Sequence, residues 1–295
     1  MFETLKVIFF VCFLASTLPL VTSMSLREIS VTKVSSGLGV PMGELMKDSL
    51  VIYGTYAADF NNIEYAQRLN HYKDQLKAEG VKDFHFIMNA SPKSALQLCS
   101  LLDIDAIDGE INVYADEFGK AGKEFGVSPG WRPNDNQMNA YLKLFGMLWG
   151  LGAWKTLPSV IGGYLGNPFA EQPWIETALA QGTSKGRFPT QALEMRDGKV
   201  VENKFASLPV VGIWGRRPLE LATLRLQNMV GVSIQNWDDL RPSDEALKAG
   251  VLTQLGGCAV YDGEGKEKFT FKDEGICNVV KFEDILDKLQ GKPSY

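Results

Sequence analysis

The polar residues best placed for chemistry lie in one short stretch, residues 51–61 (VIYGTYAADFN). A buried strand is expected to end there at Tyr53 and a long helix to begin, which puts Thr55, Asp59 and Asn61 at a helix N-terminus. The unpaired N–H groups at a helix N-terminus attract anions and stabilise thiolates. The three side chains could therefore hydrogen-bond a ligand, or they could cap the helix. The loop contains no cysteine, histidine or lysine.

Thiol or metal chemistry elsewhere would depend on isolated residues. The chain has four cysteines, Cys12, Cys99, Cys258 and Cys277. None is spaced as CxxC, so neither a zinc ribbon nor a dithiol redox site is predicted. The chain has only two histidines, His71 and His85, which argues against a histidine-rich metal site. We expect no metal and no cofactor.

The three cysteines that follow residue 23 differ in their surroundings. Cys258 begins the first strand of a predicted hairpin and Cys277 precedes the last helix, so these two thiols could approach each other. A disulfide requires Cα atoms within about 7 Å. The pair is therefore either a structural or regulatory disulfide or two separate thiols. Cys99 lies on the apolar face of a predicted helix, which is typical of a small core residue.

Composition limits the class of protein. With 295 residues, 45% of them hydrophobic and 22% charged, the chain is long enough for one large globular domain or two small ones. A net charge of −5 and the lack of any Lys/Arg block argue against nucleic acid as a partner. The local basic cluster, Arg216, Arg217 and Arg225, could receive an acidic ligand or be solvated surface charge.

Residues 1–23 have the pattern of a signal or targeting peptide. An apolar run at 7–15 follows Lys6, and Val21 and Ser23 suit the −3 and −1 positions of a cleavage site before Met24. The alternative is a transmembrane anchor, although the run is about half of the roughly 20 residues that a spanning helix needs.

The elements that must position these residues follow a regular order. Residues 24–48 are rich in Ser and Gly at their centre and predict an N-terminal tether. Strands are predicted at 51–53, 81–89 and 111–115, with helices between them, and a hairpin at 257–272 precedes a final helix. Such alternation predicts parallel strands with right-handed crossovers. We predict an α/β fold with a thioredoxin-like central sheet, flanking helices and a large insertion after the third core strand.

Four stretches carry a family resemblance: VIYGTYAADF, IMNASP, YADEFGKAGKEFGV and GGCAVYDGEGKEKFTF. They resemble the peroxiredoxin-like branch of the thioredoxin superfamily, the alkyl hydroperoxide reductase and thiol-specific antioxidant (AhpC/TSA) family. The resemblance implies a thioredoxin-like domain at 49–127 and 256–295, with an insertion subdomain at 128–255. It also implies redox chemistry at a T-x-x-C loop, where an arginine beside the late strand activates a peroxidatic cysteine.

This site is degenerate here. Thr55 matches the family's threonine, but the cysteine position falls on Ala58 and the arginine position on Gly256. In the related CxxC register the two cysteines would fall on Ala58 and Asn61. Since an alanine side chain cannot form a thiolate, ordinary peroxidase activity is not expected. No residue is assigned a catalytic role.

The insertion contains an unusual apolar stretch at residues 141–169. Lys143 and Lys155 bracket its apolar run too closely for a spanning helix. The stretch is either a buried helix pair that covers the sheet or an exposed surface for a membrane interface or a protein complex. Amphipathic aromatic residues within and just after the stretch are typical of such an exposed surface. They are Trp149, Trp154, Tyr164 and Trp174.

The expected function follows from these features. The chain would act by binding, in the structure, assembly or regulation of a larger complex, which could be a photosynthetic membrane complex. The alternative is a thiol-dependent antioxidant oxidoreductase that uses Cys258, Cys277 or Cys99. Related proteins of photosynthetic organisms are similar in GTYAADF and GLGAW…TLP…GGY-x-GNP, which implies a plastid reached through a signal-type presequence. A secretory lumen or secretion is the alternative.

Overall fold

The computed structural model describes residues 25–164, 173–187, 193–196, 199–203 and 219–292. The predicted signal peptide, Arg216 and Arg217 lie outside these ranges.

A seven-stranded mixed sheet forms the centre of the fold, in the order β2-β1-β5-β4-β3-β8-β9. Its strands are β1 (Ser30–Lys33), β2 (Gly39–Pro41), β3 (Ser49–Tyr53), β4 (Asp83–Met88), β5 (Ile111–Ala115), β8 (Gly257–Tyr261) and β9 (Glu267–Lys272). The pairs β3/β4 and β4/β5 are parallel, and β8 pairs antiparallel with both β3 and β9. The predicted α/β fold with a thioredoxin-like central sheet is confirmed.

Helices flank this sheet. In chain order they are α1 (Met42–Leu45), α2 (Phe60–Ala78), α3 (Pro92–Leu101), α4 (Lys120–Phe125), α5 (Ala140–Leu148), α6 (Thr156–Tyr164), α7 (Trp174–Ser184), α8 (Leu219–Ser233), α9 (Trp237–Leu240), α10 (Asp244–Lys248) and α11 (Phe282–Leu289). A separate hairpin joins β6 (Leu193–Arg196) and β7 (Lys199–Asn203). Helices α5 to α10 and this hairpin lie between β5 and β8, where the insertion was predicted. In the described part of the chain, none of the helices is long and apolar enough to span a bilayer.

The tether predicted at residues 24–48 is folded over its described part, residues 25–48, which corrects that prediction. Strand β1 pairs antiparallel with β5, with Thr32 opposite Ala115, and β2 pairs with β1 at the edge of the sheet. The Ser/Gly-rich centre is the turn of this hairpin, in which Gly37 adopts a φ of +71° that favours glycine. Val31 and Met42 are almost fully buried, so the segment belongs to the folded domain.

Helix α2 is covered on both sides. The apolar positions of its predicted periodicity are buried, and they belong to one core cluster with β3 and β4. The opposite face carries buried polar residues such as Glu64 and Arg68, which face α7 and α8 of the insertion. Trp174, Leu224 and Met229 share the core cluster of the sheet. The predicted insertion subdomain therefore shares its core with the thioredoxin-like domain.

Candidate functional site

The junction of β3 and α2 is built as a helix cap. The Asp59 carboxylate accepts a hydrogen bond from the N–H of Asn61 at 3.1 Å, which satisfies one unpaired donor of the helix N-terminus. Asn62 reaches back along the loop, and its Oδ1 accepts the N–H of Thr55 at 3.1 Å. Of the two interpretations of Asp59, capping is the one that these contacts support.

Asn61 connects the start of α2 to the segment after β9. Its Nδ2 donates to Oδ2 of Asp273 at 2.9 Å, and its Oδ1 accepts the N–H of Cys277 at 2.6 Å. Tyr65, one turn further along α2, donates its hydroxyl to Oδ1 of Asp273 at 2.6 Å. The side chain of Asn61 is thus engaged on both sides by the protein itself.

Ala58, at the position of the family's cysteine, is enclosed by the insertion. It is 1% exposed, and its carbonyl accepts a hydrogen bond from Oγ of Ser233 at the end of α8, at 2.6 Å. Next to it, the ring of Tyr56 meets Trp237 edge to face, with 6.3 Å between the ring centroids. Thr55 is fully buried as well. The side chains of Thr55 and Ala58 are therefore shielded from solvent.

Gly256, at the position of the family's activating arginine, has no space for a side chain. A Cβ atom there would lie 2.9 Å from the carbonyl oxygen of Tyr53 and 3.0 Å from Oδ2 of Asp273. Both distances are shorter than ordinary van der Waals contacts between carbon and oxygen. An arginine would require the backbone or the Asp273 carboxyl group to move.

Burial perturbs the two carboxyl groups at this junction. Burial raises the pKa of Asp59 to about 6, although the N–H of Asn61 favours its charged form. Burial also raises the pKa of Asp273 to about 7, against the opposing effect of the hydrogen bonds from Tyr65 and Asn61. Perturbed carboxyl groups are frequent in active sites, but they also occur in structural networks.

The three predicted redox thiols are free cysteines, so Cys258 and Cys277 do not form a disulfide in this structure. Burial raises the pKa of Cys99 to about 12, and it raises the pKa of Cys258 well above the ordinary value. A thiol whose pKa is raised in this way is a poor nucleophile at neutral pH. Cys277 is partly exposed.

A buried ionic cluster joins α2 to the insertion, and sequence reasoning missed it. Arg68 binds Glu64 through its Nε at 2.8 Å, and Arg225 of α8 binds the other oxygen of the same carboxylate. Both guanidinium groups stack on the ring of Trp174, at 4.7 and 4.6 Å from its centroid. Glu64 and Arg225 are each only 2% exposed.

Two predictions are therefore wrong. Trp174 is not part of an exposed interaction surface, because it is fully buried and its ring is in contact with both guanidinium groups. Arg225 is not solvated surface charge, because Glu64 partners it inside the fold. Both residues lie on helices whose packing partner, α2, is far away in the sequence, so local spacing carried no signal for the contact.

Helices α5 and α6 and the turn between them carry an exposed apolar surface. Trp149 is 66% exposed and Trp154 is 61% exposed, both in the turn. Further exposed apolar side chains of these elements are Leu142, Phe145, Leu148, Leu151, Leu157 and Ile161, and we call this set, with the two tryptophans, the apolar surface. Residues 141–169 were predicted to be either a buried helix pair or an exposed surface, and the described part, residues 141–164, supports the exposed surface. The side chain of Tyr164 and residues 165–169 lie outside what the structure describes.

Comparison of the chain with protein-family models, curated proteins and solved structures gave no match. The resemblance to peroxiredoxin-like proteins consequently stays a prediction.

Proposed function

We propose that this protein is a binding protein on a thioredoxin-like fold, without thiol peroxidase activity, that attaches to a membrane interface through the apolar surface. At the membrane it would take part in the structure, assembly or regulation of a larger complex. A peroxiredoxin-like origin and a plastid location belong to the same proposal and rest on the sequence resemblance alone.

The observation that carries this proposal is the exposure of the apolar surface. Two tryptophans at more than half exposure, in the turn between two short helices, are the amphipathic residues that favour the boundary between headgroups and acyl chains. Many large apolar side chains are exposed within this one segment, and the rings of Phe145 and Trp149 are in contact, with 6.4 Å between their centroids. Exposed apolar side chains that cluster in this way mark interaction sites.

The charges of the same segment favour a membrane with anionic lipids. The sequence has no acidic residue between Asp135 and Glu171, although the chain as a whole has a net charge of −5. The ammonium group of Lys155 lies over the ring of Trp154, 4.6 Å from its centroid, and 3.5 Å from a carboxylate oxygen of Glu274, so a positive charge lies directly beside one of the two exposed tryptophans. The segment 136–170 therefore has no carboxylate to repel an anionic surface.

The enclosed junction at α2 supports binding over catalysis. Ala58 has no nucleophilic group, Gly256 leaves no space for an activating side chain, and Cys99 and Cys258 are buried thiols with raised pKa values. Peroxide consumption by the chain from Met24 onward, with a thiol reductant, should equal the protein-free background. Turnover that disappears in a Cys277→Ser variant would instead support the thiol oxidoreductase alternative.

Liposome flotation tests the attachment. The chain from Met24 onward should float with vesicles that contain phosphatidylglycerol, and a Trp149→Ser/Trp154→Ser variant should lose at least about tenfold in partitioning, because two interfacial anchors are removed. Leu38→Ser is the matched control, since Leu38 is also 66% exposed but lies in the β1–β2 turn. Recovery of the wild-type chain only in the soluble fraction would contradict membrane attachment. Assembly into a lipid-free complex that depends on the same two tryptophans would assign the surface to a protein partner instead.

A further inference from the structure

A polar cavity of about 140 Å³ lies between α2, the end of α3 and α7, where the insertion packs on the thioredoxin-like domain. Its lining includes Gln67 of α2, Asp103 just after α3 and Gln181 of α7. A cavity of about 10–15 Å³ holds one water, so this cavity is roughly ten times larger than a single water requires. It is large enough for a small polar molecule.

Gln67 is the exceptional residue of this cavity. It is only 6% exposed, and within the described residues neither its amide nitrogen nor its amide oxygen has a hydrogen-bond partner. Buried polar groups in proteins nearly always have partners, because an unmet donor or acceptor in the interior is unfavourable. Since both ends of this amide are unpaired, the observation holds whichever end is the nitrogen.

Gln181 adds a third unpaired atom to the same cavity. Its Oε1 is buried and lacks a hydrogen-bond partner among the residues that the structure describes. A buried amide nitrogen of α2 and two buried amide oxygens, one from each helix, are therefore available to a molecule in the cavity.

The charge of the cavity is balanced. Asp103 is the only charged residue in its described lining, and the ammonium group of Lys185 lies 2.5 Å from the Asp103 carboxylate. This ion pair is half exposed to solvent and leaves no unpaired charge for an ionic ligand. The lining consequently favours a neutral ligand.

A neutral ligand for these atoms must both donate and accept hydrogen bonds. A primary carboxamide has the required edge, because one N–H and the C=O can pair with the two ends of Gln67 while the second N–H is available to Gln181. The amino group and neighbouring ring nitrogen of adenine form an equivalent edge, which a glutamine amide pairs in the same bidentate way. A carboxylate has no N–H for the two amide oxygens.

We propose that this cavity binds a small neutral molecule through such an edge, with Gln67 as the bidentate contact and Gln181 as the second acceptor. The edge could belong to a carboxamide or to an amino-purine. Because the cavity has walls from α2 and α7, the ligand binds the chain only while the insertion is packed on the thioredoxin-like domain, and it should raise the melting temperature. The residues that line the cavity are separate from the apolar surface, so the proposal does not depend on membrane attachment.

Titration calorimetry of the chain from Met24 onward tests the two sources of the edge. Nicotinamide is the carboxamide probe, and nicotinic acid, which has a carboxylate instead, is its control. Adenine is the amino-purine probe, and purine, which lacks the amino group, is its control. At least one probe should bind tenfold or more tightly than its control and should raise the melting temperature.

Substitutions in the cavity test the contacts. Gln67→Met removes both amide atoms but keeps the length of the side chain, so it should weaken binding of that probe at least tenfold, and Gln181→Met should weaken it several-fold. Gln75→Met is the matched control, since Gln75 is an exposed glutamine two turns further along α2, and it should leave binding unchanged.

The melting temperature without ligand separates a ligand contact from a structural role. In Gln67→Met it should equal or exceed that of the wild type, because an unpaired buried amide is replaced by an apolar side chain. The proposal is overturned if neither probe binds more tightly than its control, which would assign the three amide atoms to ordered water, or if both cavity variants bind the probe as the wild type does. If Gln67→Met does not fold, Gln181→Met decides in the same titrations.

Discussion

Neutralising Glu64 is the most direct test of how the insertion is held on the thioredoxin-like domain. A Glu64→Gln substitution keeps the shape of the side chain but removes the negative charge that Arg68 and Arg225 share. Glu64 is 2% exposed and Arg225 is 2% exposed, so water cannot replace the lost charge. The two guanidinium groups, both stacked on Trp174, would then repel each other inside the fold.

The size of the effect follows from the burial of the cluster. Removing one partner of a buried ion pair typically costs about 3–5 kcal/mol, because a charge is left buried without compensation. We expect Glu64→Gln to lower the free energy of unfolding by a similar amount. Urea denaturation followed by circular dichroism measures it, with Glu44→Gln as the control, since Glu44 is exposed on α1 and its loss should change stability by less than about 0.5 kcal/mol.

A double-mutant cycle separates the pair from the individual residues. Combining Glu64→Gln with Arg225→Met should give a coupling energy of about 1–3 kcal/mol, as expected for residues in direct contact. A Glu64→Gln variant within about 1 kcal/mol of the wild type, or additive effects in the cycle, would refute the idea that this cluster fixes the insertion to α2.

Three further predictions concern the junction at α2 and the three described thiols. Burial raises the pKa of Asp273 from 3.8 to about 7, so the folded state holds this proton more tightly than the unfolded state does. The free energy of unfolding should therefore fall by up to roughly 4 kcal/mol as pH rises from about 4 to about 7. Denaturation curves across that range should show the fall, and Asp273→Asn should reduce it to the smaller part that Asp59 contributes through its own raised pKa; a stability that rises with pH over this window would contradict the assignment. An Ala58→Cys variant should not be a peroxidase, because residue 58 is enclosed beneath Ser233 and the position of the activating arginine is occupied by Gly256. Peroxide turnover above background in this variant would disprove the enclosure. Alkylation of the native protein, followed by mass spectrometry, should show a labelled Cys277 and unlabelled Cys99 and Cys258. Labelling of all three thiols before unfolding would count against the burial of Cys99 and Cys258.

The sequence predicted the elements whose patterns are local. Apolar residues at helical spacing, from Ile63 to Leu76, placed α2 correctly, and the Asp262/Gly263 turn placed the β8–β9 hairpin. The β1–β2 hairpin was missed because its strands are short and half polar, so neither periodicity nor propensity distinguishes them from a loop. Its assignment depends on pairing with β5, which local sequence does not encode.

The junction at α2 was predicted in part. Thr55, Asp59 and Asn61 do lie at the helix N-terminus, because a strand, a loop and a helical pattern follow one another directly in the sequence. The enclosure of Ala58 could not be predicted, since Ser233 lies 175 positions away and a serine at a helix end has many alternative partners. The same holds for Arg225 and Glu64, which are separated by 161 positions.

The pairing of β3 with β8 has a consequence for biosynthesis. Ser49 lies opposite Tyr261, so the central strand of the sheet receives one of its two neighbours only after nearly all of the chain has left the ribosome. Until then a fully buried strand has an open edge, which can pair with another chain. Nascent chains halted before residue 257 should consequently be clients of chaperones, and the order of synthesis, rather than the final stability, sets the period in which this protein can aggregate.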